Sequence, residues 1–167
     1  MVRYVGLDIS TKTGLCILDV DGNVLDSREL LTQDLGDPQR MMDLSERILK
    51  FLNPETDKVI IEHFAYSGKG QGVSFQYGAG YIVREMLINN NIPYTEVAPT
   101  SLKKFASNNG QAKKDALVLP IYKKWGFEHD SDNVRDAFVL SRMGWSMYNH
   151  DNLLAYEKEV LKKITKI

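Results

Sequence analysis

Apolar positions recur along the chain with two different periods, and the changes between them mark out the elements. Tyr4, Val5, Leu7 and Ile9 form a short apolar strand into which Asp8 is set. Small polar residues from Ser10 to Gly14 turn the chain into a second strand, Leu15 to Val20. Asp21-Gly22-Asn23 then favours a tight hairpin leading to a third strand, Val24 to Leu31. Three antiparallel strands are therefore expected at the N-terminus. Asp37-Pro38 opens a helix with apolar residues at Met41, Leu44, Ile48 and Leu52, which stops near Asn53-Pro54. Asp57 to Ala65 reads as a buried strand, and Val73 to Asn90 as a helix with a small-residue face at Gly78, Ala79 and Gly80, suited to packing on a sheet or on a second copy of the chain. Tyr94 to Ala98 is a fifth strand. Thr100 caps a short helix that breaks at Asn108-Asn109-Gly110, and Ala112 to Trp125 forms the next, distorted at Pro120. The segment from His129 begins the last major helix. Leu153 to Ile167 has helical apolar spacing and reads as a docking helix or an interaction arm. The order β-β-β-α-β-α-β-α-α predicts one α/β domain.

Composition narrows the function classes. A chain of 167 residues with 43% hydrophobic and 26% charged residues is long enough for one sizeable core. The single cysteine, Cys16, excludes an intrachain disulfide framework and reads as a small core residue. No apolar run approaches the roughly 20 residues that span a bilayer, and none follows Arg3 as a leader would require. No membrane association and a reducing, cytoplasmic compartment are the expectation. The net charge is −1, but the distribution is uneven. Between Asp19 and Glu62 acidic residues outnumber basic ones eleven to five, whereas from Gly68 to Lys124 basic residues lead eight to three. One basic face on a nearly neutral molecule is a plausible nucleic-acid footprint, although solvated lysines give the same count.

Four carboxylates carry the candidate chemistry. Asp8 lies mid-strand, Glu62 ends another strand, and Asp132 and Asp136 open a helix, four residues apart and so on one face. An ionised carboxylate in an apolar strand is costly unless a cation meets it. If the helix crosses the two strand ends, the four converge and repel one another without cations. An all-oxygen set selects hard ions, Mg²⁺ with Mn²⁺ as a substitute, and two ions per site suit in-line phosphodiester displacement. Dipole complementation at a helix start explains Asp132 equally well, but not Asp136, which precedes the apolar run Ala137-Phe138-Val139-Leu140. The glycines Gly68, Gly70 and Gly72 lack the context of a phosphate-binding loop.

Gly6-Leu7-Asp8-Ile9-Ser10, Ile60-Ile61-Glu62 and Asp132-Asn133-Val134-Arg135-Asp136-Ala137 fall in the order and approximate spacing of the RuvC-like Holliday junction resolvases. Between them, Pro99 to Asp115 resembles that family's basic segment, with Gly110-Gln111-Ala112-Lys113-Lys114 opening a helix beside the site. The resemblance spans about Tyr4 to Gly144, and the small size and divergent tail suggest the phage-type branch. It implies an RNase H-like fold, with a central five-stranded mixed sheet and helices on both faces. Residues 1–150 would form the nuclease domain and 151–167 a helical extension of it. The resemblance also implies a homodimer that resolves four-way or other branched DNA by paired nicks. Asp8, Glu62 and Asp136 become metal ligands. Asp132 is the stronger candidate for the fourth, since the family position falls on Asn133. Lys103 and Lys114 match lysines that approach the scissile phosphate, and Lys104 and Lys113 extend the basic DNA-binding segment. The family's unstacking aromatic falls at Ala65, flanked here by Phe64 and Tyr66. Either ring, Phe64 or Tyr66, is a candidate DNA-stacking wedge, and alternation would put Phe64 on the face of Glu62, where it serves equally as core. The small-faced helix around Gly78 to Gly80 is the candidate dimer element.

Other readings remain beside this one: a related nuclease cutting flaps, other branched DNA or RNA, or a junction-binding scaffold without catalysis. A sugar-kinase-like phosphotransferase would share the Asp8-to-Gly14 turn, but that fold needs two such domains.

Overall fold

The N-terminal strands form as the pattern predicts. In the computed structural model, which describes residues 1–64, 71–150 and 152–164, β1 (Arg3–Asp8), β2 (Lys12–Leu18) and β3 (Val24–Leu31) make an antiparallel meander. Gly22 turns the β2–β3 hairpin with a φ of +84°, and the Asp19 carboxylate accepts from the amides of Asp21 and Asn23 at 2.9 and 2.8 Å. Two further strands, β4 (Asp57–Glu62) and β5 (Tyr94–Val97), add in parallel on the other side of β1, which makes the order β3-β2-β1-β4-β5. β1 and β4 thus run the same way, and their C-termini lie side by side.

Alternation along the strands sends side chains to two cores. Val5, Leu7, Val59 and Ile61 face α1 (Gln39–Leu49) and α2 (Gln71–Asn89). Tyr4, Cys16, Leu18 and Ile60 face α3 (Pro99–Ser107), α4 (Val118–Trp125), α5 (Asp132–Ser146) and α6 (Ala155–Lys162). The expected mixed sheet of five strands with helices on both faces is what forms. Cys16 is fully buried, and burial pushes its thiol up to about 12, so it is an inert core residue.

Some boundaries differ from the expectation. Asp8 is the last residue of β1 rather than a mid-strand one, because the Ser10–Thr13 turn, closed by Thr13 Oγ1 donating to the Ser10 carbonyl at 2.7 Å, begins just beyond it. β4 ends at Glu62, not Ala65. The helix foreseen over 112–125 is split into a 3₁₀ turn, Lys114–Leu117, and α4. Pro120 is not the cause: it lies in the first turn of α4, where no intrahelical amide bond is required of it. In the tail, α6 docks on α3. Val160 enters the core, Glu157 pairs with Lys124 at 2.6 Å, and Glu159 pairs with Lys104 at 2.9 Å. No helix among the described residues is long and apolar enough to cross a membrane.

The small residues of α2 have intramolecular work to do. A Cβ on Gly78 would lie 2.6 Å from Met41 Sδ on α1, and one on Gly80 would lie 2.5 Å from Phe64 Cε1. These two glycines seat neighbouring parts of their own chain, so the small face is not left open for a second copy.

Candidate active site

α5 delivers two carboxylates to the strand ends because glycines on β1 and β2 leave no side chain where its first turns cross them. A Cβ on Gly6 would come within 1.9 Å of the Ala137 carbonyl oxygen, and one on Gly14 within 1.9 Å of the Asn133 carbonyl oxygen. Gly14 is also the register partner of Asp8. On the helix side, a Cβ on Gly144 would meet Ile60 Cδ1 at 2.1 Å. The helix therefore lies almost in backbone contact with β1 and β2. Its start is fixed by Ser131, whose Oγ accepts from the Val134 amide at 3.4 Å and donates to Glu29 at 2.6 Å. The Asn133 amide donates to the Lys12 carbonyl at 2.7 Å, tying the same turn to the head of β2.

Four predicted carboxylates and one predicted lysine meet at this edge. Asp8 is buried at the end of β1, and Glu62 lies beside it at the end of β4, half-buried, lining the same small pocket. Asp136 projects from the second turn of α5 with 9% of its side chain exposed, whereas Asp132 in the first turn keeps 43%. Lys114 reaches in from the 3₁₀ turn, with Nζ 2.7 Å from Asp132 and 3.4 Å from Asp136, so the helix pair does share one face. Among the described residues no three Asp, Glu, His or Cys side chains form a ready ligand cage. An ammonium group instead stands between the two α5 carboxylates and offsets their repulsion.

The electrostatics record the crowding. Burial, followed by the charge of Asp136, pushes the Asp8 carboxyl up to about 7, against partial relief from Lys114. Burial and then the charges of Asp8 and Asp136 push Glu62 up to about 8, with Lys114 and Lys103 countering. Burial also raises Asp136. Asp132 moves the other way, because the hydrogen bond from Lys114 favours its anion. At Lys114, burial disfavours the ammonium, but the hydrogen bond to Asp132 and the charges of Asp136 and Asp8 outweigh it and raise its pKa. Two carboxyls close to neutrality at pH 7 leave a site short of positive charge.

The remaining predicted residues divide. Lys103 on α3 lies close enough for its charge to act on Glu62. Lys113 is exposed at the head of the 3₁₀ turn. Lys104 is not brought to the carboxylates, since α6 holds it through Glu159. Phe64 lies beyond the end of β4, lines the same small pocket as Asp8 and Glu62, and packs its ring on α2 against Tyr77 and Tyr81, with centroids 4.8 and 4.9 Å away. Tyr66 lies outside the described residues. Asn133 is committed to Lys12, which leaves Asp132 as the member of that pair within reach of the cluster. Residues that pattern reading passed over include Gly6, Gly14 and the buried Arg84. The glycines offered a signal in their strand register; a lone arginine in a helix offered none.

A mixed sheet ordered β3-β2-β1-β4-β5, with carboxylates at the ends of the two central parallel strands and a helix carrying two more across them, defines the RNase H-like α/β fold in its RuvC-like form. Among solved structures, the chain is similar to that of Thermus thermophilus RuvC, with a TM-score of 0.72 and 17% identity, covering 89% of this chain and 97% of that one. It is also similar to T. thermophilus RuvC in complex with a Holliday junction substrate, with a TM-score of 0.71 and 14% identity over 89% and 96% of the two chains. The yeast mitochondrial Holliday junction resolvase Ydc2 aligns with a TM-score of 0.56 and 14% identity, over 96% of this chain and 80% of that one. At these identities the likeness is one of fold. No protein-family model and no curated protein sequence matches the chain.

Proposed function

We propose that the protein is a metal-dependent endonuclease that cuts branched DNA, acting on four-way junctions as a homodimer. The observation that carries this reading is the convergence of Asp8, Glu62, Asp132 and Asp136 with Lys114 at one edge of a RuvC-like sheet. One structure of this fold is a complex with a Holliday junction substrate, which supports branched DNA as the substrate class.

Asp8, Glu62, Asp132 and Asp136 would hold two Mg²⁺ ions, or Mn²⁺ in their place. The fit rests on the all-oxygen donor set and on the positive charge that Asp8 and Glu62, displaced towards neutrality, call for. Bound there, the ions would supply activation of water and stabilisation of the departing 3′-oxygen. The chain's own residues do the rest. Asp8 and Glu62, on rigid strand ends, fix the geometry, and Asp136 enters from a helix that cannot slide because Gly6 and Gly14 key it to the sheet. Lys114 holds Asp132 and Asp136 in the free protein and stands beside the carboxylates where a scissile phosphate would lie. Lys103 adds positive charge from α3. Two sites in a symmetric dimer would give the paired nicks that resolution needs.

The deciding experiment is cleavage of end-labelled four-way junction, flap, duplex and RNA–DNA hybrid in Mg²⁺, with EDTA as the control. Paired symmetric nicks confined to the junction are expected. Cutting of flaps or hybrids alone would keep the nuclease and replace the substrate. Tight junction binding without cutting in Mg²⁺ or Mn²⁺ would make the protein a scaffold. Lys114→Ala is expected to lower the single-turnover rate about 10²-fold with little change in junction affinity, the size typical of losing one preorganised charge at a phosphoryl centre. A matched loss in rate and affinity would reduce Lys114 to a phosphate contact.

Metal removal gives a second expectation with a definite sign. The folded-state values of Asp8 and Glu62, about 7 and about 8, lie above their unfolded ones. Their contribution to stability is therefore full only below about pH 4 and is lost progressively from there as pH rises through 7 and 8. The melting temperature of metal-free protein should fall over that window, and Mg²⁺ should raise it more at pH 8 than at pH 5.5. A Mg²⁺ effect independent of pH would separate the ion from these carboxylates.

A further inference from the structure

Arg84 is a cation in an unusual place. Only 8% of its side chain is exposed, and its guanidinium is committed in three directions. Nε donates to Glu96 on β5, Nη1 donates to the Gly80 carbonyl one turn back at 2.9 Å, and Nη2 donates to the Glu62 carbonyl at 3.3 Å. The plane of the group also covers the Phe64 ring, 4.3 Å from its centroid. Phe64 is in turn stacked with Tyr77 and packed on Tyr81, and Tyr81 is 61% exposed. Gly80 makes room for this arrangement, since a Cβ there would strike Phe64 at 2.5 Å and come within 3.1 Å of Arg84 Nη1.

An ion pair with Glu96 needs neither burial nor a planar fork; a lysine on the surface would serve. What the fork adds is a connection. It joins the backbone of one site carboxylate to the underside of an aromatic stack whose outer ring is open to solvent. Open aromatic faces bind unstacked nucleobases without regard to sequence.

We propose that Arg84 is a positioning residue that ties Glu62 to the Phe64–Tyr77–Tyr81 stack, so that a nucleobase seated on these rings and the Glu62 carboxylate move as one unit. The inference rests on the nuclease reading for its nucleobase, but the tie to Glu62 is testable without cleavage. Arg84→Lys keeps the charge opposite Glu96 and removes the fork. In this variant Mn²⁺ affinity of the free protein, read by titration calorimetry, and the single-turnover rate on a four-way junction are each expected to fall about tenfold, with junction affinity within about twofold of wild type. Tyr81→Ala should slow cleavage in the wild-type background and add little on top of Arg84→Lys, as coupled residues do.

Unchanged Mn²⁺ affinity in Arg84→Lys overturns the proposal whether or not junctions are cut, and so does a wild-type protein that binds no Mn²⁺. A weakened Mn²⁺ affinity in a protein that cuts no branched DNA would sink the nuclease reading and leave the tie to Glu62 standing. If Arg84→Lys does not fold, Glu96→Gln, which loosens the same guanidinium while leaving it in place, should show the same split between Mn²⁺ and junction affinity; equal losses in both would overturn the assignment.

Discussion

Asp8→Asn is expected to cut the cleavage rate about a thousandfold or more, to leave junction binding intact, and to make the metal-free protein more stable above pH 7. The first effect follows from position. Asp8 lies at the end of the central strand, beside Glu62 and beneath Asp136, and an amide presents one neutral oxygen where the proposed ions need an anionic ligand. Binding should survive, because the lysines proposed to meet phosphates are on other elements. The third effect comes from burial. Asp8 is 6% exposed, and its carboxyl is pushed up to about 7, so above that pH the folded protein must house a charge that water would solvate better. Asparagine never ionises. The variant should therefore gain nothing below about pH 4, where the carboxyl is protonated in both states, and progressively more above it, reaching about 4 kcal/mol by pH 8. Cleavage at the wild-type rate would remove Asp8 from the site. Loss of stability at pH 8 would mean that its charge is already compensated in the free protein.

Gly14→Ala should damage both fold and site through one added methyl group. That Cβ would lie 1.9 Å from the Asn133 carbonyl oxygen, 2.3 Å from the Asn133 carbonyl carbon and 2.8 Å from the Val134 amide. All three are backbone atoms, so no side-chain rotation relieves the clash. The first turn of α5 must lift, and it carries Asp132 and leads to Asp136. Overpacking of this kind costs about 1–3 kcal/mol, and a displacement near 1 Å at a reacting centre costs about 10²-fold in rate. Calorimetry and single-turnover cleavage would measure the two together. Gly36→Ala, with nothing within 4 Å of the new Cβ, is the matched control and should change neither. A Gly14→Ala protein that melts and cuts like wild type would mean that α5 is not keyed to the sheet here.

Much of the fold was legible because its signals are local. The Asp21-Gly22-Asn23 turn between two apolar runs defined the β2–β3 hairpin, and the Met41, Leu44 and Ile48 spacing defined the buried face of α1. The candidate site was legible in part for the same reason, since a charged residue in or next to an apolar run stands out, as Asp8, Glu62 and Asp136 do. Legibility ended where a local rule met a tertiary contact. Alternation alone does not place Phe64, because β4 ends before it and Gly80 on α2 leaves the seat its ring occupies beside the pocket of Asp8 and Glu62. The small residues of α2 suit packing on a sheet or on a second copy, and Gly78 and Gly80 accommodate Met41 and Phe64 of the same chain. Lys104 belongs with its neighbours to the basic segment, but its ion-pair partner, Glu159, lies 55 residues away on α6.

The sequence by itself determined which elements form, which of their faces are apolar, and which carboxylates interrupt or border the apolar runs. These properties depend on residues a few positions apart. Only the tertiary structure decided how close α5 comes to β1 and β2, because that distance depends on Gly6 and Gly14 meeting the backbone of residues more than a hundred positions later. It also decided which cations the cluster receives. Lys114 and Asp132 are 2.7 Å apart, and Arg84 reaches Glu62 from a different helix, through contacts between elements that no local pattern of charge encodes.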